Sequence, residues 1–582
     1  MLRSAALATF ALAALAILPA AASAQDVDAS SCSPYGDSRT TAKGRFIARP
    51  DEVVELRSKL DGAVIQIGIV RPKAPKRHRA PVVALASTYQ PVDFAQEDLA
   101  ECQPWAVENF VPHGYATAII SVRGTGNSGG CHNLLGRREQ ADISQAITWL
   151  GTRRWSNGRV GMYGLSYDAA TTWSAAASGN KHLKTILPAS GLSDLYDLSY
   201  GGGTYDWRWW LFVPGYYHLY ATITSNPAAG HAPDRWFESV ARCPDLDAAY
   251  QATLESFATG ERDSRGYWAE RNHRPGVENG WRGSVLLIQG LQDWNVRPAH
   301  NIPWVPGLSR RGIEVKQMLG QWAHAMPDWE HEHTRWDFAD VALRWFDRHL
   351  KGRRRVDTGP AVEVQDTSGR WRAETRWPPP NDTTLGLGGE APSEALLAPD
   401  SRSRHFFISE VAPLQTTDDW LPVPGAVEEL CATCAAFSFD AGEGMRVSGM
   451  PEVRLRATPT GPSGHVAAVL YRRDADQGLK RIGWGMTDLR FPEGEGASGE
   501  TPRPVTAGEP VDVTVRLEPM EAVVEKGEQL VLVLGQGQSG QEPGRPPLPV
   551  SVALGAGRAA LRLAVVDPPA DRFFTPPPRP SS

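Results

Sequence analysis

Beyond its first two dozen residues the chain has no apolar run close to the roughly 20 residues that a membrane-crossing helix needs, which argues against an integral helical membrane protein. It also lacks an excess of charge. The 60 Lys and Arg stand against 66 Asp and Glu, a formal net charge of −6 over 582 residues with no long basic block, so nucleic acid is not an expected partner; small molecules or peptides are. Cysteine is scarce: Cys32, Cys102, Cys131, Cys243, Cys431 and Cys434 form an even set that allows 15 pairings, and the sequence does not choose among them. Cys431-Ala-Thr-Cys434 has redox spacing but no strand-to-helix context and no second ligand pair, so a structural bridge is favoured over redox chemistry or zinc. No His-Glu-x-x-His motif is present; His331 and His333 are two apart and would not share a helix face, which argues against a zinc protease. There is no internal repeat, and no cofactor is implied.

What is present begins with an export signal. Arg3, the apolar stretch from Ala5 to Leu18 and Ala22-Ser23-Ala24 predict a Sec-type signal peptide over residues 1–24, cleaved before Gln25, and hence a soluble periplasmic or secreted chain in which disulfides can persist. The length exceeds what one hydrophobic core supports, so several domains are expected. Residues 25–352 alternate short β-rich runs (Val82 to Ser87, Ala116 to Val122, Val160 to Tyr163, Leu183 to Leu187, Val285 to Gln289, Val315 to Leu319) with helical ones. Ile143, Ala146, Ile147 and Leu150, and later Ala339, Leu343, Phe346 and Leu350, fall at the spacing of one buried helix face. The pattern predicts an α/β domain with a mostly parallel sheet covered on both faces. Residues about 195–280 hold no clean strand and many aromatics, among them Tyr196, Tyr200, Trp207 and Trp210, and read as an inserted helical cap. Over 353–567 apolar and polar residues alternate, as in Val453, Leu455, Ala457 and in Val511, Val513, Val515, Leu517, which predicts an antiparallel β-sandwich or jelly roll. Residues 568–582 read as a disordered Pro-rich tail.

The chemistry centres on Gly164-Leu165-Ser166-Tyr167-Asp168, set between an apolar run and an Ala-rich segment. The same spacing occurs in a plain strand-to-helix turn, but it is also that of a nucleophile elbow, which lifts one serine hydroxyl above the end of a parallel sheet. A serine needs a base, and the base needs a group that fixes its tautomer. Asp293 directly follows an apolar strand, where such an acid projects; its alternative is a turn aspartate capping the next helix. Of the 14 histidines, His324 follows a strand in a Gly-bounded loop downstream of Asp293 and is the candidate base. His113 precedes a strand and His300 begins a helix, so neither sits where the base belongs. Two oxyanion donors are expected: the backbone N–H of Tyr167, and a group from Ser87-Thr88-Tyr89, where the Tyr89 phenol is the candidate and a packed aromatic the alternative.

Ser87-Thr88-Tyr89, Gly114-Tyr115-Ala116, Arg123-Gly124-Thr125-Gly126-Asn127-Ser128, Gly161 to Asp168, Leu183 to Ile186, Gly290 to Val296 and Gly320-Gln321-Trp322-Ala323-His324 occur in the order seen in bacterial X-prolyl dipeptidyl-peptidases and cocaine esterase-like hydrolases, which the chain resembles over most of its length. Val447-Ser448-Gly449 and Gly483-Trp484-Gly485 resemble that family's jelly-roll domain. The resemblance implies an α/β-hydrolase domain, a helical cap and a C-terminal sandwich, with Ser166, Asp293 and His324 as the triad and a tyrosine hydroxyl, here Tyr89, in the oxyanion hole. Three departures stand out: Ala169 replaces the usual glycine of the elbow, Leu165 replaces a polar residue, and Asn295 and Val296 replace the acidic residues of the amino-acid ester hydrolases.

The leading expectation is an exported serine peptidase that releases N-terminal Xaa-Pro dipeptides. Such a site needs an apolar slot for the pyrrolidine and a carboxylate for the free N-terminus; Asp197 and Asp206, beside Trp207 in the aromatic cap, are the candidates, with a cap-stabilising role as the alternative for each. The runner-up is an esterase or acylase of the cocaine esterase-like type with the same triad. A binding protein with an inert hydrolase domain is a third reading. Oligomeric state is not legible.

Overall fold

The computed structural model describes residues 36–89, 103–206, 244–259, 266–329, 334–388, 393–398, 433–476, 478–493, 502–536, 541–543, 548–555, 557–566 and 572–579. The apolar runs of the first half pair into one large twisted sheet. Its strands are β1 (Glu52–Arg57), β2 (Val64–Val70), β3 (Ala80–Ser87), β4 (Ala116–Ser121), β5 (Ser156–Leu165), β6 (Leu183–Ala189), β9 (Ser284–Gly290), β10 (Glu314–Gly320), β11 (Val362–Gln365) and β12 (Trp371–Glu374), with the cap's β7 (Tyr200–Gly201) and β8 (Thr204–Asp206) lying outside it. The order across the sheet is β1-β2-β4-β3-β5-β6-β9-β10-β11-β12, closed by Phe573–Phe574. From β4 through β11 neighbouring strands run parallel; β1, β2, β12 and the last pair are antiparallel additions at the two edges.

Near-continuous burial of β3, β4 and β9 is what parallel strands covered on both faces require. The covering helices take the predicted faces: Arg137–Thr152 buries Ile143, Ala146, Ile147 and Leu150, and Phe338–Leu350 buries Ala339, Leu343, Phe346 and Leu350. Each fully buried aliphatic side chain stabilises the sheet-helix contact by roughly 1.5–3 kcal/mol. No helix among the described residues is long and apolar enough to cross a membrane.

The sheet does not stop at residue 352: β11 adds parallel to β10, and β12 follows it, so residues 362–374 belong to the first domain's sheet. Period-two alternation identifies a strand but not the sheet that receives it. Nor are the described residues of the C-terminal segment a disordered tail. Phe573 and Phe574 pair with β12, the Phe574 ring lies 6.2 Å from that of Trp371, and Arg579 stacks over Trp336 at 4.5 Å. Two aromatics within the Pro-rich run supply the apolar surface that holds it.

The cap is largely helical in its described parts (Tyr196–Ser199, Pro244–Thr259, Tyr267–Glu270, Arg274–Gly280), but β7 and β8 form a small hairpin, and Gln541–Pro543 from the C-terminal half pairs with β8. Its aromatics from Trp207 to Trp236 lie outside the described residues. The C-terminal half forms two antiparallel sheets. One is built on the long strand Met445–Pro459, which pairs with Val511–Arg516, Met520–Val524, Val550–Ala553 and Ala560–Val565. The other runs Ala435–Asp440, Gln529–Gly535, His465–Arg473, Leu479–Asp488. Val453, Leu455, Ala457, Val513 and Val515 from the first sheet and Val466, Ala468, Leu470, Leu530, Leu532 and Leu534 from the second share one buried core, the arrangement of a sandwich. Among the described residues no cysteine is free: Cys131 and Cys434 are disulfide-bonded, and Cys32, Cys102, Cys243 and Cys431 lie outside them.

Candidate active site

β5 ends at Leu165, and the helix Tyr167–Ala177 begins two residues later. Ser166 alone makes the turn, with φ 60° and ψ −125°, a left-handed conformation that a side chain adopts only where its surroundings impose it. The neighbours explain how the turn closes. A Cβ on Gly164 would lie 2.5 Å from the Asp168 carbonyl, so only glycine fits there. Ala169 is fully buried, and its methyl occupies the place where a Cβ on Gly191, just past β6, would stand at 2.5 Å. The glycine missing from the elbow has its counterpart across the sheet.

The other expected residues lie at the carboxyl ends of neighbouring strands. Asp293 follows β9 and is buried; its Oδ1 accepts from the backbone N–H groups of Asn295 and Val296, both at 2.9 Å. Its Oδ2 lies 2.8 Å from Nδ1 of His324, in the loop after β10. Asp293 caps its own turn with one oxygen, not the next helix, and faces a histidine with the other. The two loops are zipped together by Leu291 N–H to Gly320 C=O at 2.8 Å and Gln292 N–H to Trp322 C=O at 3.2 Å. Gln321 adds a brace, accepting from Gln292 and donating to the backbone carbonyls of Gln365 and of Glu521 in the sandwich.

Tyr89 leaves the end of β3. Its phenol donates to Ser166 Oγ at 3.3 Å and accepts from the Tyr167 N–H at 3.4 Å, so both expected oxyanion donors converge beside the serine. The loop carrying Tyr89 is tied down by Thr88 N–H to Asp168 Oδ1 at 3.2 Å and Tyr89 N–H to Ser87 Oγ at 3.0 Å. Among the described contacts Ser166 pairs with this phenol and not with His324. Such catalytic hydrogen bonds are often long without substrate and tighten on binding.

The substrate-binding candidates fare differently. Asp197 pairs with Arg274 at 2.5 Å within the cap, and Arg274 also reaches Ser193 Oγ and the His300 carbonyl of the hydrolase domain, so the Asp197 carboxylate is engaged in holding that bracing arginine. Asp206 lies in β8, opposite Gln541. Trp207, like His331 and His333, lies outside the described residues. His300 is buried, and desolvation together with Arg297 and Arg274 holds its pKa well below the usual histidine range. Two residues at the site have no sequence signal: Glu139, buried under Tyr167, and Arg271, buried under the loop that precedes Glu139. Desolvation pushes the Glu139 carboxyl up to about 7. Among the described residues no cluster of three or more His, Cys, Asp or Glu could hold a metal ion.

A parallel sheet with a serine on a strained strand-to-helix turn, and an Asp–His pair on the adjoining loops, defines a serine hydrolase of the α/β type. The comparisons narrow the class. Residues 61–326 match the family model for X-Pro dipeptidyl-peptidase (S15 family), and residues 354–563 match that for the X-Pro dipeptidyl-peptidase C-terminal non-catalytic domain. The chain thus carries an S15-family domain over residues 61–326, followed by that family's C-terminal domain. A Streptomyces avermitilis protein assigned as an Xaa-Pro dipeptidyl-peptidase is 28% identical over 81% of this chain and 76% of its own length. A cocaine esterase of Rhodococcus is 26% identical over 66% of this chain and 69% of its own. Among solved structures, an α-amino acid ester hydrolase superimposes with a TM-score of 0.67 at 18% identity, covering 91% of this chain and 98% of that one, a likeness of fold alone.

Proposed function

We propose that the protein is an exported serine peptidase that releases N-terminal Xaa-Pro dipeptides through a Ser166–His324–Asp293 triad and an acyl-enzyme. What supports this reading is a strained elbow serine beside the Tyr89 phenol and the Tyr167 N–H, together with a histidine held by a buried aspartate on loops at the same end of the sheet. Asp293 fixes His324 with Nδ1 protonated, leaving Nε2 as the base. Ser166 Oγ attacks the carbonyl carbon of the proline residue as Nε2 takes its proton. The oxyanion draws the Tyr167 N–H and the Tyr89 hydroxyl away from each other and onto itself. Collapse breaks the C–N bond, and His324 returns the proton to the departing amine. Water, deprotonated by the same nitrogen, then releases the dipeptide and restores Ser166.

Since Asp197 is already neutralised by Arg274, Asp206 is the better of the two carboxylates for the substrate ammonium. Export is supported by the charge, the apolar stretch and the Ala-Ser-Ala site of residues 1–24, and by the disulfide-bonded state of Cys131 and Cys434. The test is hydrolysis of Ala-Pro-, Gly-Pro- and acetyl-Ala-Pro-p-nitroanilide beside p-nitrophenyl butyrate, with wild type and Ser166→Ala. Release from the free dipeptides, lost on acetylation and in the variant, is expected. Turnover of butyrate alone would assign an esterase instead.

A further inference from the structure

The residue after the elbow serine has a second set of contacts that the mechanism above does not use. The Tyr167 ring is buried, and its hydroxyl donates to the Glu139 carboxylate, 3.0 and 2.9 Å from the two oxygens. The same hydroxyl accepts from the Leu135 N–H at 2.9 Å, which also lies 3.1 Å from Glu139 Oε2. That N–H is delivered by an unusual backbone. Leu134 and Leu135 are successive non-glycine residues in the left-handed region, with φ 47° and 60°, and both side chains are buried. Three carbonyls of the turn are held by side chains: those of Asn133 and Leu134 accept from Arg271, each at 2.9 Å, and that of Leu135 accepts from Gln140 at 2.8 Å. Arg271 is itself buried, stacked 3.6 Å over the Tyr267 ring. Paired strained residues of this kind persist only where the surroundings over-determine them, and they cluster at functional sites.

We propose that Glu139 is a positioning residue for the oxyanion-binding amide. It clamps the Tyr167 phenol from one side while the Leu134–Leu135 turn clamps it from the other. Tyr167 begins the elbow helix, and its N–H already points at the Tyr89 phenol oxygen; Ser166, one residue back, is itself strained. A ring fixed by one donated and one accepted bond holds that peptide unit against relaxation of the elbow. Glu139 touches no reacting atom and acts through Tyr167. The inference rests on the reading of the Tyr167 N–H as an oxyanion donor.

The test compares Glu139→Ala, Glu139→Gln, Tyr167→Phe and the Glu139→Ala/Tyr167→Phe pair with wild type, measuring kcat and KM on Ala-Pro-p-nitroanilide and on p-nitrophenyl butyrate per serine titrated by a fluorophosphonate. Glu139→Ala and Tyr167→Phe should each lower kcat about tenfold or more with KM nearly unchanged, since small misplacements of a preorganised donor act on the transition state. The pair should lose less kcat than the product of the two single losses, because both break the same phenol–carboxylate bond, while each also removes one of the two acceptors of the Leu135 N–H. Glu139→Gln, whose amide oxygen still accepts from the phenol, should stay within about threefold of wild type. Wild-type kcat in Glu139→Ala, a loss in Gln as deep as in Ala, or additive losses in the pair would overturn the proposal. If Glu139→Ala does not fold, Tyr167→Phe reads the same bond from its other end. Ser166→Ala and Tyr89→Phe run alongside: if they keep full activity, the underlying site reading fails and takes this inference with it, whereas if they lose activity and the Glu139 variants do not, only this inference falls.

Discussion

Tyr89→Phe removes one oxygen atom and little else. The ring keeps its edge-on contact with Tyr167, centroids 6.5 Å apart at 79°, and the backbone keeps its bond to Ser87, so the loop and fold should be unchanged. What is lost is the hydroxyl between Ser166 Oγ and the Tyr167 N–H, 3.3 and 3.4 Å away. If that hydroxyl donates to the oxyanion, its removal should raise the barrier by roughly 2.7–4 kcal/mol, a fall of about 10² to 10³ in kcat. Because Tyr89 is half-buried and not sealed, water can partly replace the donor, which places the expected loss near the lower end, about 10². Ground-state binding does not use the bond, so KM should move by no more than about threefold. Steady-state kinetics on Ala-Pro-p-nitroanilide, with circular dichroism to confirm folding, measures this. A folded Tyr89→Phe with kcat within threefold of wild type would refute the assignment of Tyr89, and a loss confined to KM would make it a binding residue instead.

Asp293→Asn should lower kcat by about 10⁴, because an amide cannot hold His324 in the tautomer with Nδ1 protonated, while the turn keeps its bonds from Asn295 and Val296 and thermal unfolding shifts little; near-normal turnover would remove Asp293 from the triad. Glu518→Ala removes the carboxylate that pairs with buried Arg297 at 3.0 Å and accepts from the Ala299 N–H between the two domains, so equilibrium unfolding should show a loss of about 3–5 kcal/mol; a loss below 1 would show the pair to be dispensable. Asp328, buried and bonded to Ser38, has its carboxyl pushed by desolvation from 3.8 up to about 6. The folded-state value lies above the unfolded one, so its contribution is fully present below about 3.8 and is lost as pH rises through 6, a swing on the order of 3 kcal/mol. Asp328→Asn should therefore gain stability relative to wild type between those pH values in urea titrations, and a constant difference across them would contradict the shift.

The parts of this fold that were legible are those where hydrophobic pattern and punctuation agree. The six parallel strands from Val82 to Leu319 are bounded by Gly or polar turns, and all six are present; five are extended by one to four residues at one or both ends, and Ala116–Ser121 stops one residue short. Ser166, Asp293 and His324 stand out in the sequence because each lies within four residues of the end of such a strand, and the structure brings the last two into contact. Glu139 could not. In sequence it is an acidic residue in the first turn of a helix, where a charge complementing the helix dipole is expected, and its burial depends on a loop and a ring that no local pattern reveals. Arg271 reads as one more surface cation of the cap, yet it holds two carbonyls of the Leu134–Leu135 turn. Asp197 was a reasonable anion for a substrate amine until Arg274, 77 residues away, took it. The edge strands were missed for a related reason: alternation in β11 and β12 fits either sheet, and only the parallel register of Gln317 with Val362 settles which.

The central claim is that Ser166 is a nucleophile activated by His324. It is tested most directly by reacting the protein with a fluorophosphonate, locating the modified residue by peptide mass spectrometry, and repeating the reaction with Ser166→Ala and His324→Ala. The account predicts one label per chain, on Ser166, absent in Ser166→Ala and slowed by at least about 10² in His324→Ala. Labelling elsewhere, or Ser166 labelled as fast without His324, would contradict it.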